Sequence, residues 1–561
     1  MSFNIKHFTE ELLFVPLGGA NEIGMNFNLY HYKGKWIIID CGVGFADEYA
    51  PGVDMVIADM SFVAQHKENI IGIIVTHAHE DHVGAIPYLL KVLNCPVYTT
   101  EFTSNFLRYK LHEHKISDTA QINVIKPDSN IKLEPFNIDL ISLNHSTVEM
   151  QALMIRTEKG NILHTGDWKF DQDPVIGETA NKQALEALGK DGVLALVCDS
   201  TNVLTNKPSG SEGALRENLV NIVKQCKKLV VITTFASNIA RIDSIIHAAK
   251  ESGRKVALLG RSLNRILATA QDSGYMMDVN EHIIHENDIK EYKREELLVI
   301  ATGCQGEAMA ALSRMSYYEH PKITICKNDT IIFSSKMIPG NEKKILRLIN
   351  VFIRSKVNII TSNDSNFVHV SGHPSAPELD IMYDLIKPKI SVPVHGEPIH
   401  LQAHIELAKK NGVDHAINVE NGSVVLLNEK SPRIVGKVQS GYFGIDGQAL
   451  LPLSSNIFKM RRHLNDSGII IVSIVLDKRC CIITKPIISA PGSLDPKTDE
   501  QFINLIRAKL MKSLVEQRTK IKGNVTNDQI AEIVRTTIRK TIKQSIGKKP
   551  KIIVNVEHTI E

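Results

Sequence analysis

The sequence predicts an α/β protein of several domains. Three observations carry that expectation. The first 200 residues alternate short β-rich runs with helical stretches. Between Asn202 and Val368 a strand-length apolar run, a small polar turn and a helical stretch recur four times, the pattern of an open parallel sheet with loops at the strand C-termini. A last stretch of about a hundred residues, a usual size for an appended module, reads as a separate α+β domain. At roughly 150 residues per domain, 561 residues hold three or four domains' worth of chain.

The elements follow in order. Leu12–Leu17, Asn26–Tyr32 and Lys35–Asp40 read as strands separated by glycine turns. Ile70–Val75 is a buried strand, with a helix expected over Gly84–Leu93. Ile138–Leu143, Gly160–His164 and Val193–Cys198 are further strands. The middle region offers Leu229–Thr233, Lys255–Leu259, Leu297–Ala301 and Thr330–Phe333, followed by TFASN, GRSLN, TGCQGE and SSKMIPGNE. Between them Gly213–Cys226, Asn238–Ser252 and Asn264–Ser273 have helical periodicity. Gly436–Gly447 reads as a connector. Beyond it come strands Gly468–Leu476 and Cys481–Ile487, helices Asp499–Lys520 and Asn527–Ile546, and a closing strand Lys551–Val556. Thr526 and Asn527 are candidate caps for the second helix.

Composition narrows the class. Hydrophobic residues at 43% and charged residues at 23% exclude a disordered or collagen-like chain. The apolar runs stop well short of the ~18–20 residues a bilayer needs, so no membrane association is expected. The start, MSFNIKHFTEELL, lacks the basic and apolar regions of a secretory signal. None of the eight cysteines (Cys41, Cys95, Cys198, Cys226, Cys304, Cys326, Cys480, Cys481) is spaced CxxC, which reads as reduced thiols in a cytoplasmic protein. Net charge is +3, but residues 501–561 hold 13 Lys+Arg against 5 Asp+Glu. A basic module on a mildly acidic body suggests a polyanionic partner, a solvated helical face being the plainer alternative.

Histidine carries the chemistry. In IIGIIVTHAHEDHVGAIP a buried strand runs into His77, His79, Asp81 and His82 on one strand-to-helix loop. Imidazole suits Zn²⁺, and added carboxylates suit a catalytic site. An extended His-x-His turns two imidazoles to one side of the chain, while Asp81 and His82 can face a second ion. Two ions ~3.5–4 Å apart can share a hydroxide activated for hydrolysis. His145 in LISLNHST, Asp167 in ILHTGDWKF and Asp40 in WIIIDCG each follow a β-like run. Alone each is an ordinary loop polar; together with the cluster they look selected for metal.

HAHEDH followed by His145 and Asp167 resembles the motif set of the metallo-β-lactamase superfamily. CDSTN at Cys198–Asn202, SGH at Ser371–His373 and PVHGE at Pro393–Glu397 resemble motifs A, B and C of its β-CASP nuclease branch. PLGGANEIGMN, TFASN, GRS, TGCQGE, IPGNE and HVSGH, in order over Pro16–Leu401, are similar to signatures of the bacterial ribonuclease J family. The resemblance implies an αββα sandwich with an inserted parallel-sheet β-CASP domain and a small C-terminal α+β domain. The expected boundaries are 1–205 and 361–435 for the metallo-β-lactamase core, 206–360 for the β-CASP domain, 436–460 for a linker and 461–561 for the basic C-terminal domain. Two Zn²⁺ per subunit are implied, with Mn²⁺ or Mg²⁺ able to substitute or assist. His77, His79 and His145 would hold one ion, Asp81, His82 and His395 the other, and Asp167 both. Asp40 and Glu80 would support the ligands. A histidine at motif C points to RNA rather than DNA.

The implied activity is a zinc-dependent ribonuclease, 5′→3′ exonuclease and endonuclease on single-stranded RNA, in rRNA maturation and mRNA decay. A hydroxide activated by the two ions attacks the phosphodiester and leaves 5′-phosphate products. Asp81, Asp199 and His373 are the catalytic set, His373 as general acid held protonated by Asp199, or else a plain phosphate ligand. Ser237, Asn238, His369, Val370, Ser371, Gly372 and His373 would bind substrate and receive a 5′-monophosphate, a simple helix cap being the alternative for Ser237 and Asn238. Lys509, Lys512, Arg518, Lys520, Arg535, Arg539, Lys540 and Lys543 could grip RNA. The stripe Ile530, Val534, Ile538 and Ile542 reads as an oligomerisation face, or as the domain's own core. A homodimer or tetramer through the C-terminal and β-CASP domains is expected. The competing readings are a small-molecule hydrolase, an RNA-binding scaffold with a dead site, and a DNA nuclease. Motifs A to C, the filled ligand positions and His395 respectively speak against them.

Overall fold

The computed structural model describes residues 4–47, 50–117, 120–362, 366–477, 481–518 and 526–559. Cys480, Lys520 and the side chain of Arg518 fall outside them. The chain forms two compact units, one of Met1–Gly44 and Ile57–Gly441, the other of Phe45–Val56 and Tyr442–Glu561.

In the first unit two sheets pack face to face. The eight-stranded sheet runs, from edge to edge, Arg433–Lys437, Ser423–Leu426, Leu13–Gly18, Phe27–Tyr32, Lys35–Ile39, Ile70–Ile74, Val97–Thr99 and Ile122–Val124. The seven-stranded sheet runs His415–Ala416, Ile390–Val394, Ala195–Asp199, Gly160–His164, Gln151–Thr157, Phe136–Ser142 and Asn130–Leu133. Alternate residues of both meet in one core: Phe14, Tyr30, Ile37 and Ile74 from the first, Ile138, Leu153, Ile155 and Val392 from the second. Helices cover the outside. Trp36 meets Phe62 of helix Ser61–Gln65 edge-on at 5.3 Å, and Leu163 and Leu196 pack with Leu185, Leu379 and Ala408 of three helices on the opposite side. This is the expected αββα sandwich.

Residues 230–361 form a third, six-stranded sheet, parallel at every pairing, in the order Ile283–Ile284, Lys255–Leu259, Leu297–Ala301, Val230–Thr233, Thr330–Phe333 and Asn358–Thr361. The four expected strands form its centre. Ile283–Ile284 and Asn358–Thr361 are edge strands that apolar pattern alone did not reveal.

In the second unit, Ile469–Leu476 buries every other side chain, pairs in parallel with Lys551–His558 and antiparallel with Ile487–Ser489. Helices Glu500–Arg518 and Asn527–Ile546 pack Ile506, Leu510, Val534 and Ile538 onto it. Thr526 caps the second helix in a reciprocal capping box with Gln529.

Four expectations change. The helix over Gly84–Leu93 is two single turns, Glu80–Val83 and Ile86–Leu89, because Pro87 lacks an N–H and starts a helix more readily than it continues one. The strand at Cys481–Ile487 is instead Ile487–Ser489, after one isolated bridge at Ile482; Pro486 has no N–H to pair. The connector at Gly436–Gly447 contains strand residues: Arg433–Lys437 ends in it, and Tyr442–Asp446 hairpins onto Ala449–Pro452 through Gly447 at φ +63°. Finally, Ile530, Val534, Ile538 and Ile542 are at most 4% exposed. The stripe is the unit's own core and offers no face to a second copy.

Candidate metal centre

Loops at the C-terminal ends of strands deliver nearly every site residue. Asp40 follows Lys35–Ile39, His77 and His79 follow Ile70–Ile74, and His145 follows Phe136–Ser142. Asp167 follows Gly160–His164, Asp199 ends Ala195–Asp199, and His395 follows Ile390–Val394. Asp40 (φ +60°) and His395 (φ +54°) adopt left-handed backbone, which costs energy for a residue with a Cβ and is held here by the surrounding contacts.

Two groups of ligand atoms converge on Asp167. His77, His79, His145 and Asp167 form one; Asp81, His82, Asp167 and His395 form the other, and in each the ligand atoms lie within 4.8 Å of one another. Asp167 is common to both. Its Oδ2 lies 3.1 Å from His82 Nε2, 3.4 Å from His395 Nε2, 3.8 Å from His145 Nε2 and 4.0 Å from His77 Nε2. His145 Nε2 faces His79 Nδ1 at 2.9 Å. Asp81 Oδ2 stands 3.8 Å from both His82 Nε2 and His395 Nε2.

The residues fit metal ions. His77 Nε2 is fully buried and has no hydrogen-bond partner among the described residues, a costly state that a cation among these atoms would remove. The far ring nitrogens of His77, His82, His145 and His395 are engaged elsewhere. Thr76 Oγ1 lies 3.0 Å from His77 Nδ1, Asp40 Oδ2 lies 2.7 Å from His82 Nδ1, and Gly372 O accepts from His145 Nδ1 at 2.6 Å. His395 Nδ1 lies 3.2 Å from the Gly24 N–H. Burial, helped by neighbouring imidazoles, holds His77 and His145 well below the ordinary histidine range. Burial lowers His79 to about 4. These rings are therefore neutral, as ligands must be. Burial opposes charge on Asp167, but His395, His82 and His373 keep it well below the usual carboxylate range. For His82 burial is outweighed by Asp167, Asp40 and Asp81, which push it well up. That surplus of negative charge is what a cation would neutralise. The donors are nitrogen and oxygen, suited to a divalent ion of the Zn²⁺ or Mn²⁺ kind. Glu80 turns away and pairs with Lys110 at 2.6 Å.

His373 stands beside this cluster, its Nδ1 2.8 Å from Asp199 Oδ2 and 3.8 Å from Asp167 Oδ2. Burial lowers its pKa, but Asp199 and Asp167 overcome that and raise it to about 9. Ser371 Oγ accepts from Asn202 Nδ2 at 2.5 Å and from the His373 N–H at 3.2 Å, which shapes the turn. A Cβ on Gly372 would come within 2.8 Å of the His145 ring. Val370 is buried. Asn238 caps helix Ile239–Glu251, accepting from the Arg241 N–H at 2.9 Å, and Ser237 lies just before it.

Sequence reading missed the residues that join these parts. Arg241 is fully buried; it donates to both Glu212 carboxylate oxygens, at 3.1 and 2.8 Å, and to the carbonyls of Ser334 and Val370. Its Nη1 lies 3.4 Å from His369 Nδ1. It thus ties the helix after TFASN to the loop before His373. An arginine among Ile239, Ala240 and Ile242 on an apolar helix was the available signal. Asn26, whose Nδ2 lies 2.9 Å from His82 Nε2, and Thr76, which donates to Asp40 at 2.9 Å, carried none.

Four family models match consecutive stretches of the chain: the metallo-beta-lactamase superfamily over residues 26–179, the ribonuclease J beta-CASP domain over 227–352, the Zn-dependent metallo-hydrolase RNA specificity domain over 365–419, and the ribonuclease J C-terminal domain over 456–558. Among similar proteins, ribonuclease J of Sinorhizobium meliloti is 39% identical, covering 97% of each chain. Ribonuclease J2 of Bacillus subtilis is 32% identical, covering 98% of this chain and 99% of its own. A solved structure of a protein of unknown function from Enterococcus faecalis, 17% identical, shares the fold with a TM-score of 0.51 over 74% of this chain and all of that one.

Proposed function

The chain belongs to the ribonuclease J family and is a metallo-hydrolase nuclease acting on RNA, and we propose that it is a two-zinc 5′→3′ exoribonuclease that also cuts internally. The observation that carries this reading is the pair of ligand groups sharing Asp167, with the His373–Asp199 pair at their side. His77, His79, His145 and Asp167 would hold one ion, and Asp81, His82, His395 and Asp167 the other. When bound, the ions supply an activated water and neutralise charge on the scissile phosphate.

The chain's own residues do the rest. Asp199 holds the His373 ring in one orientation and favours its protonated form, so His373 can give a proton to the leaving 3′ oxygen. Asp81 would orient the attacking water as well as serve as a ligand. Gly372 lets the backbone turn come close to His145, and Ser371 keeps that turn tight. Ser237, Asn238 and the segment His369–His373, joined through Arg241, form the proposed pocket for a 5′-monophosphate. We place the enzyme in the cytoplasm, in rRNA maturation and mRNA decay, as a homodimer or tetramer. With the isoleucine stripe internal, the copies would meet through other surfaces of the β-CASP and C-terminal regions. Lys509, Lys512, Arg539, Lys540 and Lys543 are exposed and available to RNA phosphates.

The test uses one body-labelled RNA oligonucleotide with either a 5′-monophosphate or a 5′-triphosphate, and an Asp81→Ala/His82→Ala control. Mononucleotides released faster from the monophosphate form, with internal fragments from both and neither in the control, are expected. Intact RNA in the presence of metal-loaded protein would overturn the reading.

A further inference from the structure

The parallel sheet of residues 230–361 carries a second concave site. At its carboxyl edge lies a cavity of about 1210 Å³, lined by none of the metal-cluster residues. It opens where strands Lys255–Leu259 and Leu297–Ala301 end side by side. These strands are neighbours in the sheet but not in the chain. Their outgoing connections part. The chain after Ala301 packs Ala311, Leu312 and Met315 on the face carrying Val299 and Ala301. The chain after Leu259 enters helix Arg261–Asp272, whose buried Leu263 and Ile266 lie outside that cluster. Such a parting of connections leaves a crevice at the strand ends, the place where open α/β sheets bind nucleotides.

The lining has two characters. Arg261, Arg265, Arg314 and Lys322 bring four cations to it, against Glu113 and Glu286. Arg265 is fixed by Glu113, donating through Nη1 to both carboxylate oxygens at 2.8 Å. Helix Arg261–Asp272 begins at Gly260 with no side-chain cap, and Gly260, Arg261 and Ser262 at its start line the cavity. A Cβ on Gly260, at φ +145°, would come within 2.4 Å of Thr302, so glycine keeps the two loops together at the mouth. Ile283, Ile284, Pro321 and Met309, the last 86% exposed, give the lining an apolar side, and the rest of it is mixed, with His285 and His320 among its polar groups.

We infer that this crevice binds a ribonucleoside phosphate, with the phosphate at the start of helix Arg261–Asp272 beside Arg261 and Arg314 and the base against Ile284, Pro321 and Met309. A bare phosphate would leave the apolar wall unused. An RNA backbone would match the cations but needs no apolar side. The inference does not depend on the catalytic reading, since it uses no residue of the metal centre.

The experiment titrates the full-length protein with AMP, and separately with inorganic phosphate and with a 5′-hydroxyl RNA oligonucleotide, by calorimetry. The Asp81→Ala/His82→Ala protein is the host throughout, which removes the catalytic ions. AMP should bind this host and lose about tenfold or more in affinity in Arg261→Ser/Arg314→Ser. Met309→Glu, a change at an exposed side chain, should weaken AMP and leave phosphate unaffected. Far-UV circular dichroism establishes that each variant is folded; if the double variant is not, Met309→Glu decides alone. AMP binding unaltered by these changes overturns the inference. So does phosphate binding as tightly as AMP, which removes the nucleoside from the site. Binding of the oligonucleotide alone overturns it in favour of a track for the RNA body.

Discussion

Asp40 shows how much of the centre is set by residues that hold no ion. Its carboxylate accepts from the Thr76 N–H and hydroxyl and lies 2.7 Å from His82 Nδ1, while its own backbone sits at φ +60°. Asp40→Asn keeps the shape but loses the charge that orients and polarises His82. Zinc affinity should fall about 10–100-fold with the fold intact, read by competition with a chelator. A second expectation concerns buried histidines that are not in the ligand set. Burial lowers His31, His164 and His404 to about 4, from an ordinary 6.5. Each is neutral in the folded protein, whereas the unfolded chain takes up the proton first as pH falls. Their contribution is complete above pH 6.5 and is lost on acidification through about 4, at up to about 1.4 kcal/mol per pH unit for each. Chemical denaturation of the metal-free protein between pH 7 and 5 should show that slope, and His404→Gln should reduce it. At this scale the sequence was most legible where chemistry is rare. Four histidines and a carboxylate spaced after strands admit few explanations. Asn26 and Thr76 were opaque because their types serve many structural ends, and only tertiary proximity gives these two their partners.

Elements were legible in proportion to how completely they are buried. Val230–Thr233, Leu297–Ala301 and Thr330–Phe333 lie wholly inside a parallel sheet, so each is an unbroken apolar run. Gln151–Thr157 was missed although its first five residues are buried, because Gln151 and Arg156 break the run at either end. The short strands Val97–Thr99 and Asn130–Leu133 are too brief for periodicity to register. Helix Ile239–Glu251 was read within a residue of its ends, since Asn238 caps it and Gly253 follows it. What pattern could not supply was the join between elements. Arg241 on this helix and Glu212 at the start of helix Glu212–Gln225 are both buried, and Arg241 also reaches Val368–Val370. Arg241→Met would leave Glu212 as an uncompensated buried charge. A loss of about 3–5 kcal/mol in the first unit's stability is expected by denaturant titration. Glu212→Gln/Arg241→Met, which removes both charges, should recover part of it. No recovery would mean that the hydrogen bonds of Arg241 to backbone carbonyls, not its charge pairing, account for the loss.

At the scale of the molecule, the two compact units have separate sources of stability. Every residue of the metal centre belongs to the first. The second closes its own core from Ile470, Val472, Leu510, Val534 and Ile538, with a further small cluster of Ala50, Val53 and Phe458. Its apolar stripe shows why spacing alone did not distinguish core from interface: both place isoleucine and valine at the same helical positions, and only the sheet opposite decides. The same separation gives a sharp expectation. Ions bound to the native first unit stabilise it by mass action, in proportion to the logarithm of their concentration over Kd. A chelator should therefore lower one calorimetric transition. Ile538→Ala, at a fully buried position, should cost about 2–5 kcal/mol and lower a different one. Two transitions, each answering to its own perturbation, would show units that unfold independently. A single transition lowered by both would show that metal binding in the first unit and the core of the second stabilise one cooperative whole.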